Sequence, residues 1–419
     1  MTEDNGQRSD RILLKNQDVV TLSKVDGDIE IRSCGRWVPE EGNEIVVTGI
    51  VTIQGALEIE GNLRVGSLKA RTRDMIEVFG DLIAERSIRV EKGALDVEGS
   101  VEGREVRADS SLRVGKNLTC STGSGGGSVK VGGNAIAERI SGGGSVKIEG
   151  KAEVKELRAG GSVKVVGEIQ CDELKVGGSG KVNHGKIGTV NIGGSFKSEG
   201  AVEVEEIDVG GSVVVGPGSF VKAIDVGGSF KSSGEVTFGA IDVGGSVKLD
   251  GAAKGDTIDV GGSVCVGGPL EIMEDLEVGG KVTVDGDLKC HKKIKIGGLI
   301  TVDGRIDTFR IIVGGRIEAK YVKAEGFRLG GRGEVTCPVE SKEILVRERA
   351  RTDSLYGDEI RIEDRSRVKS VYGRDIYIER GTIVEGEIQY TESLEMEEKV
   401  TVKEEPKKVD SLPPPEDVL

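Results

Sequence analysis

Aromatic residues are scarce: one Trp, five Tyr and seven Phe among 419 residues. That speaks against a cleft lined with aromatic rings. Proline is also sparse, with 8 residues, four of them at or after Pro406. With 66 glycines and no strict three-residue period, this excludes collagen. Only two histidines occur, His184 and His291, separated by 107 positions. Neither belongs to an H-E-x-x-H signature, and His291 beside Cys290 does not make a metal site. The six cysteines (Cys34, Cys120, Cys171, Cys265, Cys290 and Cys337) form no C-x-x-C and follow no zinc spacing. They are expected to be reduced thiols buried in the core.

Long apolar runs are missing too. No stretch approaches the roughly 20 apolar residues of a membrane helix, and the first 40 residues hold no signal-peptide core. A cytoplasmic protein without a transmembrane segment is the expectation. The formal net charge of −14 disfavours generic binding of nucleic acid or anionic membranes. No G-x-S-x-G elbow and no G-x-x-x-x-G-K-[ST] phosphate loop occurs. No catalytic residue, metal site or cofactor is therefore expected, and the chain reads as a non-enzyme.

What is present is a repeat. Gly-Gly pairs begin at Gly126, Gly143, Gly160, Gly177, Gly193, Gly210, Gly227, Gly244, Gly261, Gly279, Gly297, Gly314 and Gly330, at intervals of 16 to 18. A second glycine series runs in phase with the first, through Gly150, Gly167, Gly200, Gly234 and Gly251. Between them Val and Ile alternate with polar residues, as in Ile224–Val226 and Val236–Phe238. Period-two alternation rich in β-branched residues indicates strands. The fold class predicted is all-β, a single-stranded three-sided parallel β-helix of about 17 residues per coil. One such coil cannot satisfy its own backbone or bury its own apolar face, so each needs its neighbours.

The corner glycines singled out are Gly210, Gly211, Gly227, Gly228, Gly244, Gly245, Gly261 and Gly262. Corners require either a positive φ or a close backbone approach, and glycine provides both. Outward positions form columns as well. Lys130, Lys147, Lys164, Lys181, Lys197, Lys231 and Lys248 share one phase. Asp208, Asp225, Asp242 and Asp259 share another, and a serine series from Ser128 to Ser263 a third. Like charges stacked at ~4.8 Å repel, so they must be solvated or interleaved with opposite charge. Calcium binding of the nonapeptide β-roll type is not expected, because the period is 17 and the aspartates precede the Gly-Gly pair.

Four segments follow. Residues 1–42 read as a polar start and a cap holding the lone Trp37. Residues 43–340 are the main array. In residues 341–395 arginine replaces lysine and tyrosine appears, with Leu355–Glu363 and Val371–Glu379 matching at a spacing of 16. Residues 396–419 read as a disordered, proline-bearing tail that presents a ligand for other cytoplasmic proteins. Residues 43–395 at ~17 per coil give about 21 coils, spanning roughly 100 Å.

Units such as Val236-Thr237-Phe238-Gly239-Ala240-Ile241-Asp242-Val243-Gly244-Gly245-Ser246-Val247 and Val282-Thr283-Val284-Asp285-Gly286-Asp287-Leu288 resemble the bactofilins, the polymer-forming cytoskeletal proteins. The chain would be an extended, divergent member, with the likeness covering roughly residues 43–395. The resemblance implies a right-handed β-helix that joins end to end into filaments without nucleotide, its principal partner being itself. Two alternatives remain: a monomeric or oligomeric binding scaffold, and an enzyme of the hexapeptide acyltransferase or polysaccharide-active kind. The near-constant period leaves little room for the side loops of such enzymes.

Overall fold

A computed structural model describes residues 12–418. The chain divides into two units, Met1–Val209 and Gly210–Leu419. Each is a β-solenoid of parallel strands, and together they contain about 23 turns at a repeat near 17 residues. Pro415–Val418 is the sole helix among the described residues.

One coil of the first unit shows how the sequence makes the shape. Strand Ala152–Ala159 turns Ala152, Val154, Leu157 and Ala159 inward. Between Val154 and Leu157 the adjacent pair Lys155-Glu156 faces out, so the strand bends and yields two faces of the triangle. Gly160-Gly161 makes the next corner, and Ser162–Val165 forms the third face with Val163 and Val165 inward. The coil is therefore built with glycine at two corners only. The third corner is an outward polar pair, an arrangement the glycine series does not reveal. The second unit repeats the scheme in Val236–Val243 and Ser246–Leu249. There the bend also splits strands outright, as in Ala253–Gly255 and Thr257–Val260.

Each coil pairs with the next in parallel. Ala152 lies opposite Ile169 and Ala135 opposite Ala152, both at a step of 17. The in-register pairing lines up inward side chains into continuous apolar columns, even where the step widens to 22 between Ile29 and Val51 in the first coils. Some glycines serve those columns rather than the corners. Gly180 points inward opposite Phe196, and a Cβ on it would meet Ile192 Cδ1 at 2.5 Å. In the second unit a Cβ on Gly255 would fall 2.0 Å from the ring of Phe238. Each missing side chain makes room for a phenylalanine or isoleucine in the adjoining coil.

The expected cap is solenoid instead. Ile12–Lys15 pairs with Ile29–Arg32, and Val19–Thr21 pairs with Arg36–Val38, all parallel. Trp37 is fully buried in these first coils, donating its indole N–H to Leu22 O at 3.1 Å. The segment looks polar because each short strand contributes only one or two inward residues, too few to print a period. The polar start read at the head of this segment includes residues 1–11, which lie outside the described residues. The tail also continues the winding: Thr401–Val402 and Lys407–Lys408 pair with the coil before them. These two additions raise the count above the 21 coils drawn from residues 43–395.

The change of character assigned to residues 341–395 begins near Gly331, ten residues earlier. Strands of the third face shorten from four residues in Leu299–Val302 to two in Glu334–Val335, Arg351–Thr352 and Arg367–Val368. The preceding corner becomes a turn in the left-handed region, at Arg332, Arg349, Arg365, Gly381 and Lys399, with φ of 56° to 72°. Non-glycine residues pay about 1–2 kcal/mol for this conformation.

Replacing Gly255 by Ala is expected to destabilise the protein by about 1–3 kcal/mol, by overpacking against Phe238. Combined with Phe238→Val, the loss should be smaller than the sum of the two single changes. Urea unfolding of the four proteins measures this, and strict additivity would contradict the packing.

Candidate assembly interface

The corner glycines of the second unit sit in vertical register. A Cβ on Gly227 would lie 2.7 Å from the Gly210 carbonyl oxygen, and one on Gly228 would lie 2.3 Å from that of Gly211. The pattern repeats at Gly244, Gly245, Gly261 and Gly262, with distances of 2.2 to 2.8 Å to the glycine one coil earlier. None of these residues is among those with a positive φ. Of the two reasons for a corner glycine, the close approach of stacked backbones is the one that operates here.

The charged columns divide between the units. In the first unit Lys130, Lys147, Lys164, Lys181 and Lys197 stand opposite one another in consecutive coils, on the third face. Arg113 extends them by one coil, opposite Lys130. Lys147 reaches Glu149 at 2.5 Å, and Lys181 reaches Glu199 at 2.6 Å. The hydrogen bond from Lys147 holds the Glu149 carboxyl below its usual range, helped by the nearby charges of Lys164 and Lys130. Lys181 does the same for Glu199, helped by Lys197 and Lys164. Lys130, Lys164 and Lys197 are exposed and form no ion pair among the described residues. In the second unit Lys231 and Lys248 share Asp250, at 2.9 and 3.4 Å.

Asp225, Asp242 and Asp259 stack on the second face of the second unit, all exposed. They form no ion pair among the described residues. Glu277 follows them and is held by Lys293 and Lys295 at 2.5 and 2.9 Å. Asp208, the first of the aspartate series, belongs to the other unit, opposite Asn191.

The terminal coils expose part of the core. At one end, Ile12 and Leu14 occupy the inward positions above Ile29 and Ile31. Ile12 is 38% exposed, and Leu14 is half-buried. At the other end, Leu394 and Met396 occupy the inward positions beyond Ile376 and Ile378. Met396 is 42% exposed, whereas Ile388 in the same strand is fully buried. Lys407–Lys408 pairs with Gln389 and Tyr390 only. Among the described residues no strand pairs with the far side of Leu394–Met396. The Lys408 ammonium donates to the Glu392 carbonyl at 3.2 Å, a charged stopper on this edge.

The two histidines lie in different units. His184 is exposed, and His291 faces Glu271 at 3.3 Å. Among the described residues no group of three His, Cys, Asp or Glu side chains could hold a metal ion. A shallow groove of about 700 Å³ runs over the second face of the last coils, between Glu343, Glu359 and Asp375 on one side and Leu345, Arg361 and Tyr377 on the other. Hydrogen bonds from Arg374 and Ser393 hold the Asp375 carboxyl below its usual range, so it stays ionised rather than serving as a proton donor near neutrality. No helix among the described residues is long and apolar enough to cross a membrane. Comparison of the chain with family models, curated proteins and solved structures finds no match.

Five of the six thiols are buried, but Cys265 faces out, between Lys248 and Thr283 in its column. It departs from the expectation of six core cysteines because it takes an outward position in Ser263–Val266. Burial pushes the Cys120, Cys171 and Cys337 thiols up to about 12. Folded protein is expected to titrate one fast thiol with a disulfide reagent at pH 8, and none after Cys265→Ser. A second fast thiol in that variant would contradict the assigned burial.

Proposed function

We propose that the chain is a structural scaffold that polymerises end to end, as its resemblance to the bactofilins implies. The observation that carries this reading is the match between the two terminal strands. Ile12–Lys15 and Ile388–Met396 both belong to the long strands of their coils; among the described residues Ile12–Lys15 leaves one side unpaired, and so does the Leu394–Met396 end of Ile388–Met396, beyond the short pairing with Lys407–Lys408. Stacking Ile12 and Leu14 of one copy on Leu394 and Met396 of the next would continue both apolar columns and the backbone ladder by one coil. This is parallel strand addition, in which main-chain hydrogen bonds supply affinity and inward side chains set register. Such a contact is built from main-chain hydrogen bonds and apolar burial, and the reading calls on no nucleotide.

The tail fits this scheme as a brake. Lys407–Lys408 occupies the edge at Gln389–Tyr390, and short lysine-bearing strands discourage further pairing. The groove over the last coils supports a second role, as a surface that holds a partner on the assembled scaffold.

Purified protein without nucleotide is expected to form filaments visible by electron microscopy. Leu394→Glu with Met396→Glu should reduce them to short or single particles. Removal of residues 403–419 should lengthen them or speed their growth. Particles that stay dispersed across salt and concentration, with and without the tail, would defeat this reading.

A further inference from the structure

We propose that the lysine ladder of one copy docks sidelong on the aspartate ladder of a second copy, binding neighbouring molecules laterally. Each ladder is a row of one charge per coil. The cationic row is Lys130, Lys147 and Lys164 with their successors, on the third face of the first unit. The anionic row is Asp225, Asp242 and Asp259, on the second face of the second unit.

Three features favour a second copy over any other occupant. The first is pitch. Both rows are generated by the same coil-to-coil spacing of ~4.8 Å, so three successive lysines can each meet one of the three carboxylates without slippage. A partner of different repeat would lose register within a few coils. The second is unanswered charge. Asp225, Asp242 and Asp259 have no ion pair among the described residues; in the lysine row Lys147 is paired with Glu149, while Lys130 and Lys164 on either side of it form no ion pair and feel that one carboxylate only at a distance. Stacked like charges destabilise their own sheet until an opposite row relieves them. The third is relief. The position beside each lysine is a serine, as at Ser128, Ser145 and Ser162. The positions beside the three aspartates are Ala223, Ala240 and Thr257. Small side chains flank the aspartate row and the serine side of the lysine row, so the long lysines can reach the short carboxylates from that side.

The net charge of −14 makes copies repel at long range, and a surface of reversed sign offsets that repulsion locally. Exposed ion pairs are individually weak, so the contact works through the number of pairs made at once. It is also heterologous. A copy that offers its aspartates keeps its lysines free, and the association propagates instead of closing as a dimer. This goes beyond the end-to-end contact and uses none of its residues.

The test is assembly of the full chain in about 10 mM and about 1 M salt, where the screening length falls from ~30 Å to ~3 Å. Lateral bundles by electron microscopy, and rapidly sedimenting material, are expected at low salt and should be lost at high salt. Lys130→Glu/Lys147→Glu/Lys164→Glu should abolish bundling, as should Asp225→Lys/Asp242→Lys/Asp259→Lys. An equal mixture of the two variants should recover it, because each supplies the row the other lacks. Neutral sets, Lys→Gln and Asp→Asn at the same positions, give the same loss without added repulsion if a reversed variant fails to fold. Persistence of bundles in folded variants, absence of bundles in wild-type protein at low salt, or failure of the mixture to recover them would each overturn the proposal. Single filaments that survive high salt report on the end-to-end contact separately, through Leu394 and Met396.

Discussion

A coil of this chain cannot answer its own backbone. Its strands are short and run side by side with no hairpin to close them, so each N–H and C=O must be met by the coil before or after. The remaining features follow from that requirement. Because pairing is parallel and the step is 16 to 18 residues through most of the array, residue types recur in columns, and a column multiplies whatever one residue does. Valine and isoleucine columns become the core. Glycine columns become corners at which backbones touch, as Gly227 meets Gly210. Lysine and aspartate columns become charged rows that a single coil could not provide.

The same requirement makes the ends special. An interior coil has two neighbours, and a terminal one has only one. Ile12 and Met396 hold inward positions, yet they are exposed, and among the described residues no strand pairs beyond them. The tail moderates one end by laying Lys407–Lys408 along part of the open edge. Lateral rows and terminal edges are therefore separate surfaces, one lined by exposed charge, the other by main-chain groups and inward apolar side chains left without a strand beyond them among the described residues.

The glycine spacing made the solenoid and its repeat readable before any coordinates, because a regular fold writes a regular sequence. What it concealed lies where the regularity is weak. Residues 12–42 carry few inward positions per strand, so the coil around Trp37 looked like a cap. Lys155-Glu156 turns a corner without glycine, and nothing local separates it from any exposed pair. Gly180 and Gly255 look like other glycines but stand inside, where Phe196 and Phe238 need their space. Cys265 shared a residue type with five core thiols, and only its phase within Ser263–Val266 set it apart.

The sequence by itself determined the all-β class, the coil length, the inward aliphatic positions and the membership of each outward column. These depend on period and residue chemistry, which are local properties. Tertiary structure alone decided why the corner glycines are required, which charges find partners and where the stack is left open. These depend on atoms brought together from coils 16 to 18 residues apart, and no stretch of sequence carries those distances.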